Sequence, residues 1–150
     1  MEDRHFTFEQ IVGGEIDMVT ADAEDFAETG SYQWLWEQIR QLPGVNFDID
    51  AWEDLTADDD SDPKMNVVIA GKPFRIELRC NAAHFDAAFI ERLNEIIDQL
   101  KLSGNHFSNV SPEGVENNYG EVNIVFLPQE TVSKLDANGY GVSEAKWFGI

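Results

Sequence analysis

The sequence has little of three things that many functions require: cysteine, basic residues and long apolar stretches. Cys80 is the single cysteine, so no disulfide can form within the chain. No run approaches the ~20 apolar residues that span a bilayer. The segment from Met1 to Phe6 also lacks the basic start and apolar run of a secretory signal. We therefore expect a cytoplasmic protein with no membrane partner.

Motifs for catalysis or cofactor binding are missing as well. The three histidines and Cys80 show none of the spacings of zinc ligands, and no P-loop, dinucleotide-binding or G-x-S-x-G signature is present. Cys80 falls on the apolar side of an alternating segment, which favours a buried core residue over a nucleophile. His84 falls near the start of a predicted helix. We therefore expect a non-enzymatic protein with no catalytic residue, no cofactor and no metal site.

The spacing Asp58-x-Asp60-x-Asp62 resembles the start of a calcium-binding EF-hand loop. Such a loop requires glycine at its sixth position and glutamate at its twelfth, and this sequence has Pro63 and Ile69 there. An EF-hand is therefore excluded. A loose contact between clustered carboxylates and a divalent cation stays open as an alternative.

Acid is what the sequence has in excess. Its 150 residues contain 29 Asp and Glu against 10 Lys and Arg, for a net charge of −19. A chain this acidic repels phosphate backbones, so we expect no direct nucleic-acid partner. The acid is concentrated in residues 1–62, which hold 18 acids and 2 bases, whereas residues 63–150 hold 11 acids and 8 bases. Halophilic adaptation predicts acidity over the whole surface, which this asymmetry does not fit, although one sequence leaves that alternative open.

The densest acidic segment runs from Asp48 to Asp62 and has eight acids in fifteen residues, with Trp52 and Leu55 between them. We predict an acidic loop at about 48–64. Such charged runs are usually solvated loops, but an aromatic side chain among carboxylates is typical of a binding hot spot ringed by charge. The predicted partner-binding residues are Asp48, Asp50, Trp52, Glu53, Asp54, Asp58, Asp59, Asp60 and Asp62.

Apolar periodicity predicts a single α+β domain over residues 1–150, with an antiparallel-rich sheet and two or three helices packed on one face. Predicted strands are a hairpin of residues 6–12 and 15–20 around Gly13-Gly14, a short strand at 45–49, a hairpin of 66–70 and 74–80, a central strand at 121–127 and an edge strand at 142–148. Predicted helices cover residues 31–41, 84–101 and 128–137.

Charge, size and the absence of motifs together favour a basic protein partner. Basic clefts are typical of enzymes that grip phosphodiesters, since Lys and Arg hold the phosphates. We therefore predict a bacterial immunity protein that neutralises a nuclease-type toxin. One alternative is a DNA-mimic inhibitor, which should carry acid along most of its length. Another is an enzyme or adaptor without a recognisable motif, the adaptor binding through Trp34, Trp36 and Trp147.

Overall fold

The computed structural model describes residues 6–22, 24, 26, 29–56, 63–78, 85–117 and 120–142. Within these residues the chain forms six strands and four α-helices, which confirms the predicted α+β class. The strands are β1 (Val19–Asp22), β2 (Ala51–Asp54), β3 (Lys64–Ile69), β4 (Lys72–Glu77), β5 (Asn105–Asn109) and β6 (Glu121–Pro128). The helices are α1 (Phe8–Val12), α2 (Thr29–Ile39), α3 (Ala88–Leu100) and α4 (Gln129–Ala137).

The strands form two three-stranded sheets instead of the one sheet that was predicted. Sheet A has the order β1-β6-β5 and sheet B the order β2-β3-β4, and all neighbouring strands are antiparallel. The antiparallel character is thus confirmed. The division into two sheets depends on pairings between distant segments, such as Val19 opposite Ile124, which no local pattern encodes.

Strand β6 explains why helices cover both faces of sheet A. Ile124 and Phe126 join the larger hydrophobic core, which also contains residues of α2, α3 and sheet B. Val125 joins a smaller cluster with Phe8 of α1 and Leu135 of α4. The predicted central strand is confirmed. The expectation of helices on one face is wrong, because a strand that is apolar on both faces must be covered on both.

Helix α2 carries the apolar stripe that the sequence predicts. Tyr32, Leu35 and Ile39 are fully buried in the larger core. Trp36 is 2% exposed and Trp34 is 48% exposed, so only one of the two tryptophans faces the core. Neighbours two positions apart on a helix point in different directions, so one of them must leave the buried stripe.

Helix α3 lies between the two sheets and contacts β4 and β5. Its predicted stripe is confirmed, since Phe89, Leu93 and Ile96 are all buried. The helix begins at Ala88, later than the predicted start at residue 84, and ends at Leu100, close to the predicted end at 101. Lys101 follows it in the left-handed conformation (φ 56°).

Asp86 is one of the few buried polar residues among those that the structure describes. The residue precedes α3 and is fully buried. Its carboxylate accepts a hydrogen bond from the Ala88 N–H at 2.9 Å, and its own N–H donates to the Tyr32 hydroxyl at 2.9 Å. The acid is therefore used to satisfy a backbone donor at the start of the helix.

The N-terminal segment forms α1, not the first strand of the predicted hairpin. Thr7 accepts a hydrogen bond from the Gln10 N–H at 3.1 Å, and the Gln10 side chain accepts one from the Thr7 N–H at 2.9 Å. This capping box begins a helix of five residues, which Gly13 ends in the left-handed conformation (φ 87°). Gly13 therefore terminates a helix and does not form a hairpin turn.

Two further predictions are confirmed, and one lies largely outside the described residues. Strands β3 and β4 form the hairpin expected across residues 70–73. Helix α4 follows Pro128 and ends before Asn138-Gly139, as expected. Of the predicted edge strand at 142–148, the structure describes only Val142. Among the described residues, no helix combines the length and apolar character needed to cross a bilayer.

Candidate functional site

The described part of the acidic segment is an edge strand preceded by a short extended stretch, although a loop was predicted there. Residues 51–54 form β2, which pairs with β3 along one edge of sheet B. The strand forms because Trp52 lies opposite Val67, which in turn lies opposite the buried Phe74. The four carboxylates predicted farther along, Asp58, Asp59, Asp60 and Asp62, lie outside the described residues.

Residues 45–50, which precede β2, are extended but do not form a strand, although a strand was predicted at 45–49. Val45, Phe47 and Ile49 nevertheless pack against the core, and the residues between them are exposed. Asp48 and Asp50 belong to the exposed set. The alternation therefore turns carboxylates to solvent even without strand pairing.

A β-bulge changes this alternation where β2 begins. Ala51 is paired with Val68, and the Asp50 N–H donates to the same Val68 carbonyl at 2.7 Å. Two consecutive residues therefore face one residue of β3, which is the arrangement of a bulge. As a result Asp50 and Ala51 are both exposed, and Trp52 is the next residue to turn inward.

Trp52 lies on the inner face of sheet B. Its side chain is half-buried against the larger core, and its ring centroid is 6.1 Å from that of Phe89 on α3. Glu53, one position later, lies on the opposite face beside Asn66. The structure therefore does not bring Trp52 and Glu53 together on one surface.

Asp48 has contacts that hold the fold together. One carboxylate oxygen accepts hydrogen bonds from the Trp36 indole N–H at 2.9 Å and from the Ile49 N–H at 2.8 Å. The other accepts one from Arg40 at 2.8 Å. The sequence offered no signal for this role, because the contact joins α2 to a segment whose position depends on the whole core.

A polar ladder crosses the outer face of sheet B. Asn66 donates to Glu53 at 3.4 Å and accepts a hydrogen bond from Arg75 at 2.8 Å. Arg75 also forms an ion pair with Glu77 at 3.3 Å. Next to this ladder, Ala51, Val68 and Pro73 line a shallow depression. Glu53 is thus joined to Arg75 only through the neutral amide of Asn66.

Asp50 and Asp54 are the remaining predicted acids in the described segment. Both are exposed, and the Asp54 carboxylate accepts a hydrogen bond from the Thr56 N–H at 2.8 Å. Among the described residues, no side chain pairs with the Asp50 carboxylate. Asp50 is therefore the described acid of this segment with the least compensated charge.

Of the three histidines and Cys80, the structure describes only His106. Cys80 and His84 lie outside the described residues. The Nε2 atom of His106 on β5 lies 2.8 Å from the carboxylate of Asp98 on α3, which ties the helix to sheet A. In the part of the chain that the structure describes, no three His, Cys, Asp or Glu side chains converge as a metal ion would require.

Comparison of the chain with protein-family models, with curated proteins and with solved structures finds no match.

Proposed function

We propose that this protein is a non-enzymatic binding protein whose acidic surface around residues 48–62 holds a basic protein partner. The observation that carries the proposal is the charge asymmetry, with 18 acids and 2 bases in residues 1–62. Exposed carboxylates on the edge strand and directly before it, above all Asp50, support it. An edge strand with acidic side chains is also guarded against pairing with other strands, so its exposure is compatible with a stable free state.

Long-range charge acts mainly on the rate of association. Complementary potentials raise association rates toward the order of 10⁸ M⁻¹s⁻¹ at low salt, and the effect falls as salt screens the charges. A protein that must neutralise a harmful enzyme quickly benefits from such rates. We therefore propose a bacterial immunity protein in the cytoplasm, directed against a toxin with a basic nuclease cleft.

The charge distribution favours this function over a DNA mimic. A DNA mimic must present carboxylates along an extended surface, in place of the regular phosphates of a duplex. Residues 63–150 hold 11 acids and 8 bases, and ion pairs such as Arg92 with Glu95 at 3.1 Å balance charge there. The acid is therefore suited to one docking region.

The test begins with capture of partners from lysate and from the products of neighbouring genes, followed by mass spectrometry. Association rates are then measured at increasing salt for the native chain and for Asp58→Lys/Asp59→Lys/Asp60→Lys. The control is Glu91→Lys/Glu116→Lys/Glu130→Lys, which reverses three exposed charges in the balanced part of the chain. Both variants change the net charge equally.

We expect the first variant to slow association roughly tenfold at low salt and the control to slow it far less. The captured partner should be a basic protein whose nuclease activity is lost on binding. Equal slowing in both variants would mean that only bulk charge acts, and unchanged rates in both would refute an electrostatic interface. A captured partner without toxicity would refute the immunity function while leaving the binding surface intact.

An adaptor function has one supporting observation. Trp34 is 48% exposed on α2, beside a cavity of about 500 Å³ lined by β1 and the start of α2. If the partner binds this surface, Trp34→Ala will abolish capture of the partner, whereas the triple lysine variant at residues 58–60 will not. The opposite pattern supports the acidic surface.

A further inference from the structure

A groove lies between α1, the segment that follows it, and the loop at Pro112-Glu113. Its volume is about 790 Å³, and it is open to solvent. No residue of this groove belongs to the acidic segment at 48–62. Its lining residues are Thr7, Phe8, Glu9, Gly14, Glu15, Ile16, Asp17, Met18, Pro112, Glu113 and Tyr140.

The side chains of the groove combine an apolar floor with an acidic rim. Phe8 and Tyr140 belong to the smaller hydrophobic cluster, and their rings meet edge to face with centroids 5.8 Å apart. Residues 15–18 alternate along one wall, with Ile16 and Met18 packed against this cluster and the acids between them exposed. Residues joined in this way hold their positions, so the groove is formed before any ligand arrives.

Among the described residues, the groove is lined by acids and by no base. Glu9, Glu15 and Asp17 line it together with Glu113, and no described Lys, Arg or His does. The described lining of the groove therefore favours a cation over an anion.

An exposed aromatic side chain belongs to the residue that precedes the groove in sequence. Phe6 directly precedes Thr7, which lines the groove, and the Phe6 side chain is 52% exposed. Its backbone is held in place, since the Tyr140 hydroxyl donates to the Phe6 carbonyl at 2.8 Å and the Phe6 N–H donates to the Asn138 side chain at 3.3 Å. A large apolar side chain in this place adds surface that a ligand of the groove would cover.

We propose that this groove binds an extended basic segment of a partner protein. Lysine or arginine side chains of that segment would lie over the acidic rim, and an apolar side chain between them would contact the floor and Phe6. An open groove with an apolar floor fits a peptide better than a lone cation, for which the described residues offer no cluster of ligands. A second copy of this chain, at a net charge of −19, would be repelled.

The groove and the segment at 48–62 share no residue, so substitutions in one leave the other unchanged and the two proposals are tested separately. The probe is a fluorescein-labelled peptide of alternating arginine and leucine, compared with peptides of alternating arginine and glycine and of alternating glutamate and leucine. The groove variant is Glu15→Gln/Asp17→Asn. The control, Glu24→Gln/Glu130→Gln, removes the same charge from exposed positions outside the groove.

Fluorescence anisotropy should show binding of the arginine–leucine peptide, weakened about fivefold in the groove variant and nearly unchanged in the control. The arginine–glycine peptide should bind more weakly, since it lacks the apolar contact, and the glutamate peptide should not bind. Amide shifts in nuclear magnetic resonance spectra should change at residues 14–18 and 112–113. Phe6→Ala should weaken binding, whereas Trp34→Ala should not.

Equal weakening in both charge variants, or shifts spread over the surface, would overturn the proposal by reducing the effect to bulk charge. Shifts confined to residues 48–56 would also overturn it, while favouring the acidic segment as the basic-partner site. Self-association that Glu15→Gln/Asp17→Asn abolishes would assign the groove to a second copy. Failure of the Asp58→Lys/Asp59→Lys/Asp60→Lys test leaves this outcome unaffected, so the two proposals fail separately.

Discussion

Replacing Asp48 by alanine should destabilise the fold, although the residue is exposed and lies in a segment predicted to bind a partner. The change removes the acceptor for the Trp36 indole N–H, at 2.9 Å, in a tryptophan that is only 2% exposed. A hydrogen bond to a charged group contributes about 1.5–3 kcal/mol, and a buried donor left without a partner costs a similar amount. The salt bridge between Asp48 and Arg40 adds at most about 1 kcal/mol, because the side chains of Arg40 and Asp48 are 40% and 46% exposed.

We therefore expect Asp48→Ala to lower the free energy of unfolding by about 2–4 kcal/mol. Asp48→Asn should cost about 1 kcal/mol, because an amide oxygen still accepts the indole N–H. The control, Asp50→Ala, should stay within about 0.5 kcal/mol. Urea unfolding followed by far-ultraviolet circular dichroism measures all three. If Asp48→Ala and Asp50→Ala have the same unfolding midpoint, the structural role assigned to Asp48 is wrong.

Three further substitutions test the fold at other points. Asn123→Ala should cost about 2–3 kcal/mol in urea unfolding, because its buried side chain donates to the Val110 carbonyl at 3.1 Å; a loss below ~0.5 kcal/mol would contradict this. Thr7→Ala should cost about 1 kcal/mol by removing the capping box of α1, and an unchanged thermal midpoint would argue against that helix. Gly44→Ala should cost about 1–2 kcal/mol, since φ is 92° and the new Cβ would lie 3.3 Å from the Asn105 amide; a gain in melting temperature would refute this.

The elements that could be predicted from sequence are those whose pattern is long and local. In β4, Phe74 and Ile76 are buried while Arg75 and Glu77 are exposed, so the period of two is visible directly. Helix α3 repeats its apolar stripe over more than three turns. In both cases one face of the element contributes most of the buried surface, and the pattern records it.

Helix α1 shows where prediction from apolar periodicity fails. Five residues are too few to display a helical period, and the alternation of Phe6, Thr7 and Phe8 imitates a strand. The usable signal was the spacing of Thr7 and Gln10, which forms the capping box, together with the glycine that follows. Gly13-Gly14 favours a hairpin turn as much as the end of a helix, and the hairpin is what the sequence analysis predicts.

The sequence predicts that the candidate site is rich in acidic residues, but it does not predict the contacts that each of them makes. The excess of acid is visible in any count, but its distribution among contacts depends on tertiary structure. Asp48 is paired with Arg40 and contacts Trp36, so its charge is partly compensated, whereas Glu53 is hydrogen-bonded to the neutral Asn66. The direction in which Trp52 points depends on the bulge before it, which no sequence pattern announced.

Net charge is therefore a poor guide to where a basic partner would bind, and uncompensated charge is a better one. A carboxylate with a nearby guanidinium contributes little to the field at a distance, because the two charges form a dipole whose potential falls off faster than that of a single charge. By this criterion the acids at the groove, Glu15 and Asp17, rank with Asp50 and above Asp48, which is paired with Arg40. The acidic residues of the described structure thus divide into those that hold the fold and those that remain available to a cationic partner.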